Sequence, residues 1–417
     1  MREPNAEISN ARRYLAVVML GGVYTLSFLD RQLLAILAEP VKAELGLSDT
    51  QLGLLGGFMF ALFYTVFGVP VAWLADRHNR VRIVAAACAL WSLFSAGCGL
   101  AQNFGQLAIA RMGVGIGEAG GSPPAYAIIA DYFPPEKRGG ALALYSLGIP
   151  LGITAGAALG GWIAATWGWR MAFVAIGLFG VVFALLLLLV VPEPKRGQQD
   201  GGVAVADQVG MGEALRGFFA DPLLVRAALA AGFSAFVGYS MMGWTPALLM
   251  RAKGMTLGDL SIWYSLASGL ALAAGMLASG ALVDRLGQRD RRMYALVPAV
   301  AFLIGAPIYV VALLMPGWGW SLALIVVPLG LYSMYLAPVL TIVQNAVPAA
   351  RRSTASAILL LVANLIGLGC GPLFIGWISD LATRHGYPDG LSIAMMALAP
   401  VFLLTAVLHW SVAQRLR

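Results

Sequence analysis

The sequence predicts an all-α, polytopic membrane protein with twelve transmembrane helices, and three observations carry that prediction. Of the 417 residues, 60% are hydrophobic and only 11% are charged, with a mean hydropathy of +0.81. A soluble domain carries about 25% charged residues, so in water this composition would leave large apolar patches exposed. The second observation is that uncharged runs recur, at 53–75, 171–191, 227–250, 353–379 and 391–413. Each is long enough for a bilayer core, which takes about 18–20 residues to cross. The third is an internal repeat. Ala72-Trp73-Leu74-Ala75-Asp76-Arg77-His78-Asn79-Arg80 closes one apolar run, and Gly280-Ala281-Leu282-Val283-Asp284-Arg285-Leu286-Gly287-Gln288-Arg289 closes another 208 positions later, half the chain. A weaker echo links Pro135-Glu136-Lys137-Arg138 to Pro348-Ala349-Ala350-Arg351.

The twelve spans fall near 14–36, 50–75, 82–102, 105–131, 138–165, 170–191, 224–250, 258–284, 292–314, 319–347, 352–382 and 390–413. The longest polar interruption, 192–222, is rich in Pro, Gly and Gln and reads as a flexible connector with one short surface helix. The expected organisation is a six-helix bundle over 1–191, the connector 192–222, and a second, pseudo-symmetric six-helix bundle over 223–417. Such a doubled bundle is a transporter design, with its site between the halves near mid-membrane. The polar N-terminus, MREPNAEISNARRY, lacks the short apolar region and small-residue cleavage site of a signal peptide and is expected to be retained.

Charge asymmetry predicts the orientation. Of 27 Lys and Arg, 20 lie at the two ends of the chain and in the even-to-odd loops. The opposite loops hold Lys42, Arg170, Arg251, Lys253 and Arg384, while Arg31 and Arg111 fall inside spans. Both termini are therefore expected in the cytoplasm, in a cell (inner) membrane. The formal charge of +7 follows from the same bias and needs no nucleic-acid partner. Cys88, Cys98 and Cys370 lie within spans without metal-ligand spacing and read as small core residues. No metal or cofactor is expected.

Residues 115–120, Gly-Ile-Gly-Glu-Ala-Gly, match the GxGxxG pattern of dinucleotide-binding loops. That pattern works only between a strand and a helix of a βαβ unit. Here it lies inside an apolar span, where glycines instead let helices approach closely. Gly148, Gly152, Gly156 and Gly160 recur every fourth position for the same reason.

Four ionisable residues, Asp30, Arg31, Arg111 and Glu118, lie within spans. Charges there are costly unless paired or hydrated, which marks them as functional candidates. Along a helix rising 1.5 Å per residue, Asp30 is about 24 Å into span one, while Arg111 and Glu118 are about 9 and 20 Å into span four from the other side. Asp30 and Arg111 thus share a depth and can pair. Arg111 and Glu118, two turns apart, share a face. A carboxylate whose pairing changes with conformation can take up and release a proton, freeing Arg111 for an anionic group. Arg31 is turned about 100° from Asp30 and either holds another helix or snorkels outward. Arg31, Tyr24, Trp244 and Asn364 are further candidates for the substrate site and central polar network, and Tyr64, Tyr239, Met242, Tyr332 and Tyr335 for the cavity wall.

The D-R-x-x-R loop at Asp76–Arg80, repeated at Asp284–Arg285, resembles the signature loop of the major facilitator superfamily, with Ala72 and Asn79 replacing its usual glycines. That resemblance implies the major facilitator fold and a cytoplasmic gate at Asp76, Arg77, Arg80, Asp284 and Arg285. F-L-D-R-Q at 28–32, R-x-G-x-G-x-G-E-A at 111–119 and I-A-D-Y-F-P at 129–134 resemble the Spinster branch of lysolipid and sphingolipid transporters. The resemblance implies proton coupling at Asp30, with Arg111 and Glu118 in the central polar network; Glu118, as a carboxylate near the midplane, is the second coupling candidate. The run Gly120-Gly121-Ser122-Pro123-Pro124 departs from that pattern.

These features describe a proton-coupled secondary transporter, expected to be monomeric, for a lysolipid-like or anionic small molecule. The alternative in the same class is a proton-coupled drug or organic-anion transporter. A membrane-embedded enzyme is poorly supported: His78, His385 and His409 are scattered and suggest no catalytic grouping. There is also no re-entrant filter for a channel and no P-loop for a primary pump.

Overall fold

The computed structural model describes residues 9–75, 77–197, 199, 211–348 and 351–416. Its described segments are helices joined by short turns. Among them, ten helical stretches are long and apolar enough to cross a membrane. They are Asp49–Ala75, Arg80–Cys98, Lys137–Trp167, Trp169–Val190, Pro222–Arg251, Leu257–Gly287, Met293–Leu314, Trp318–Ala346, Thr354–Arg384 and Gly390–Ala413. These correspond to spans two, three and five to twelve.

Spans one and four are the other two, and both carry the intramembrane charges. Span one is one helix, Asn10–Ile36, followed by the short helix Ala38–Leu45. Span four is Phe104–Glu118, which breaks at Ala119–Gly121 and resumes as Ser122–Tyr132. The single span expected over 105–131 is therefore two pieces. The break follows from Gly120, Gly121 and the pair Pro123-Pro124, since proline fits the first turn of a helix but not its interior.

The outer surface is apolar. Leu185, Leu189, Leu270 and Leu277 are exposed, as are Trp162 and Trp320. Outward apolar side chains of this density belong in lipid. Cys88 and Cys98 are buried as expected, whereas Cys370 is exposed.

The repeat extends beyond the signature loops. Ser48 caps span two, accepting from Gln51 N, and Thr256 caps span eight, accepting from Asp259 N. These caps are again 208 positions apart. Each is followed by a π turn, Leu54–Phe58 and Leu260–Tyr264. A third π turn, Asn364–Cys370, lies in span eleven.

Close approaches account for the glycine pattern. A Cβ on Gly115 would meet Phe60 O at 2.8 Å, and one on Gly117 would meet Trp91 N at 2.7 Å. On span five, Gly156 faces Leu29 O of span one at 2.7 Å in the same sense. Gly117→Val forces spans three and four apart against backbone atoms, an overpacking that costs about 1–3 kcal/mol. The expected result is a lower melting temperature in detergent. Gly97→Ala, on span three with open space beside it, should leave the melting temperature unchanged.

Candidate functional site

Span one presents two adjacent charges to two charges on span four, and the four close into two ion pairs. Arg111 Nη1 donates to Asp30 Oδ2 at 2.9 Å, deep in the helix packing, with the Arg111 side chain only 1% exposed. Ser95 Oγ of span three donates to the other Asp30 oxygen, Oδ1. Arg31 donates to Glu118 Oε2 from Nε at 2.8 Å and from Nη2 at 2.7 Å. Ser27 Oγ adds a third bond to that oxygen, at 2.7 Å.

Helix geometry explains the crossing. Arg111 and Glu118 are seven residues apart, about 10 Å along span four. Side chains on a helix lean toward its N-terminus, so the long Arg31 side chain reaches back past Asp30 to Glu118. Its guanidinium lies over three rings, 5.0 Å from the Phe28 centroid, 4.8 Å from Phe60 and 5.3 Å from Tyr64. Phe60 also lies 5.4 Å from the Arg111 guanidinium, so one ring serves both cations.

The Glu118 carboxylate is lopsided. Three donors converge on Oε2, while Oε1 is buried and has no hydrogen-bond partner. Its side chain is 0% exposed, whereas that of Arg31 is 17% exposed. Arg31 opens into a cleft between the halves, lined by Gln32 of span one, Phe60 of span two, Tyr239 and Trp244 of span seven, and Leu368 and Pro372 of span eleven. Counted between atoms and with its open mouth included, this space is about 740 Å3. Among the described residues lining it, Arg31 is the one ionised group.

Arg111, expected to face an anion, does not line the cleft; Arg31 does. Trp244 lines it too, but its indole N–H is engaged by Pro372 O at 2.9 Å. Tyr24 stacks on Tyr145 with centroids 4.5 Å apart and packs among N-half rings. Asn364 is partly buried, opens the π turn of span eleven and is absent from the cleft lining.

The expected gate residues are dispersed. Asp76 lies outside the described residues. Arg77 is exposed and folds over its own Trp73 ring at 3.9 Å. Arg80 is buried and binds Asp131 at 2.5 Å and Glu193 at 2.7 Å, tying span four and the first connector residues to span three. Asp284 and Arg285 are exposed and make no side-chain ion pair among the described residues. Tyr132 OH donates to Pro192 O at 2.6 Å, and Gly197 N to Asp131 at 2.9 Å. The start of the connector, read as flexible, is thus held in place over 192–197. The expected short surface helix is Met211–Ala220.

Sequence reasoning missed Ser27, Ser95, Asp131 and Glu193. Isolated serines carry no signal in a span, and the two acids sit at a span end and in a loop, where solvation is the ordinary reading. It also missed a cluster at the end of the molecule opposite the termini. There Arg251 binds Glu39 at 2.6 Å and Asp49 at 2.7 Å, and Asp380 accepts from Thr50 N at 2.8 Å.

A family model described as Major Facilitator Superfamily matches residues 20–372. The chain belongs to the major facilitator superfamily. Within it, this facilitator falls in the Spinster branch. It is 31% identical over 407 residues to human protein spinster homolog 1, spanning 92% of this chain and 76% of that one. It is 36% identical over 409 residues to an MFS-type efflux pump of Mycolicibacterium smegmatis, spanning 97% and 94%. Its fold matches the crystal structure of a bacterial homolog to human lysosomal transporter, Spinster, inward-facing and unoccupied, with TM-score 0.89, 31% identity and 98% of each chain covered. The facilitator is therefore an integral membrane transporter of a small molecule, and not an enzyme.

Proposed function

We propose that this facilitator is a proton-coupled secondary transporter that moves an anionic, amphipathic, lipid-like small molecule by alternating access. The observation that carries the reading is the charge of the cleft. One cation, Arg31, stands in an otherwise apolar and aromatic wall, and its counter-ion Glu118 lies buried behind it. An anionic head entering the cleft competes with Glu118 for the guanidinium, while the apolar body covers the walls. A carboxylate deprived of its cation in an apolar interior is costly as an anion, and a proton removes that cost. Oε1, with no donor on it, is the oxygen open to that proton. Anion entry and proton uptake are thereby tied together. Asp30, held by Arg111 and Ser95 through separate oxygens, is the second coupling carboxylate, engaged when spans one and four part.

The Lys and Arg bias assigns both termini to the cytoplasm of a cell with this transporter in its inner membrane. The bundles 1–191 and 223–417 then move as two bodies about the cleft. The unit proposed to do this work is a monomer. The signature-loop residues Asp76, Arg77, Arg80, Asp284 and Arg285 serve as the gate on the cytoplasmic side.

Proteoliposomes with an imposed proton gradient test this. Lysolipid anions and small organic anions are screened for thermal stabilisation, and the stabilising ones for flux. Gradient-driven accumulation of a lysolipid anion is expected; flux indifferent to the gradient overturns the coupling. The 36% identity to an efflux pump favours a second reading, proton-driven export of drug-like or organic anions. Stabilisation by small anions alone, with no lysolipid effect, selects it.

A further inference from the structure

The ends of spans two, seven and eleven meet on the face opposite the termini in an ionic cluster beside the cleft. Asp49, the first residue of span two, is almost wholly buried, with 3% of its side chain exposed. Its carboxylate takes Arg251 Nη1 at 2.7 Å and Nη2 at 2.9 Å, Ser379 Oγ at 2.6 Å and Lys42 Nζ at 2.5 Å. Arg251 also donates to Glu39 from Nη2 at 2.6 Å and from Nε at 3.3 Å. One guanidinium from the C-terminal half therefore clasps two carboxylates of the N-terminal half.

Span eleven grips the same tip. Asp380 accepts from Asp49 N at 3.0 Å, Thr50 N at 2.8 Å and Thr50 Oγ1 at 2.5 Å, satisfying N–H groups that a helix start leaves unpaired. The backbones touch as well. A Cβ on Gly376 would collide with Asp49 O, and one on Gly53 would lie 2.6 Å from Pro372 O. Leu52 and Ala38, which adjoin Asp49 and Glu39 in this roof, line the cleft itself.

The internal repeat does not require this cluster. The position 208 residues after Asp49 is Leu257, and the matching seam between spans five and eight is closed by small residues, Gly161 against Ser261 and Gly269 against Thr154. Among the described residues, the ionic contact is built on the one seam and not on its repeat. It is also built to release: Arg251 keeps 26% and Glu39 21% of the side chain exposed, so water is at hand when they part. The Asp30–Arg111 pair, buried on both sides, has no such relief.

We propose that Arg251, clasping Glu39 and Asp49, is an ionic latch that holds the cleft shut on the face opposite the termini and must break for the cleft to open there. The latch rests on the alternating-access reading, but its test needs neither substrate nor proton gradient. Cys88, Cys98 and Cys370 are replaced by Ala, and Leu52→Cys places a single thiol in the cleft roof. A membrane-impermeant thiol reagent is applied to sealed vesicles from the face opposite the termini. Releasing one side of a two-state closure shifts its population, so Arg251→Gln is expected to raise the labelling rate about tenfold. Arg251→Lys, one point charge without the fork, should fall between Gln and the parent. Asp49→Asn removes the shared anion and should act in the same direction, which keeps the test available if Arg251→Gln fails to fold. Lys253→Gln removes a cation on the same face that bonds only within its own half, to Leu313 O and Met315 O, and should stay within about twofold of the parent. Labelling of both Arg251→Gln and Asp49→Asn at the parent rate overturns the latch. Because conformation alone is read, a responsive latch in a protein without proton-driven flux would keep this proposal and remove the coupled-transport one.

Discussion

Glu118→Gln should lose gradient-driven accumulation, by about tenfold or more, while substrate counterflow persists. The amide keeps the shape of the carboxylate, and its one carbonyl oxygen can still accept from Ser27 and Arg31 in the place of Oε2. It cannot bind and release a proton, so the exchange of one ligand for another survives and the link to the gradient does not. Arg31, left without its anion, remains tolerable because it faces the cleft and lies over Phe28, Phe60 and Tyr64. Both fluxes are measured on the same proteoliposomes with a labelled lysolipid anion. Accumulation equal to the parent would remove Glu118 from the coupling step.

Asp30→Asn should act on stability as much as on transport. Arg111 is 1% exposed, and Asp30 is its one carboxylate partner among the described residues. Removing one partner of a buried pair leaves an uncompensated charge, at a cost of about 3–5 kcal/mol. The single variant is expected to melt well below the parent in detergent and to lose gradient-driven transport. Combining Asp30→Asn with Arg111→Gln removes both charges and should recover most of the melting temperature without recovering transport. A single variant as stable as the parent, or a double variant no better than the single, would show that the pair does not carry the packing of spans one and four.

Much of this site is legible from spacing. The seven-position spacing of Arg111 and Glu118 places both on one face, and depth along the helices brings Asp30 to Arg111, the pair that the structure contains at 2.9 Å. The partner of Arg31 is harder to read. Rotation alone turns Arg31 away from Asp30's partner, and only the backward lean of a long side chain delivers it to Glu118. The break in span four has a sequence signal in Gly120-Gly121 and Pro123-Pro124, although apolar content alone joins the two pieces. Ser27 and Ser95 have none, because a hydroxyl in a membrane helix usually bonds back to its own backbone, as Thr25 does to Gly21 O.

The sequence by itself determined the solvent, the helices, the repeat and the charges that need explaining. Hydropathy acts over a local window of residues, and the cost of a charge in lipid applies wherever that charge stands, so both are written along the chain. What only the tertiary structure decided is which charges meet. Asp49 and Arg251 are 202 positions apart, and each lies at a span end, where water would satisfy it equally well. Their pairing depends on how two bundles lean together, set by glycine contacts such as Gly376 against Asp49 and Gly53 against Pro372. That relation is a rigid-body one, and no local property of either segment encodes it.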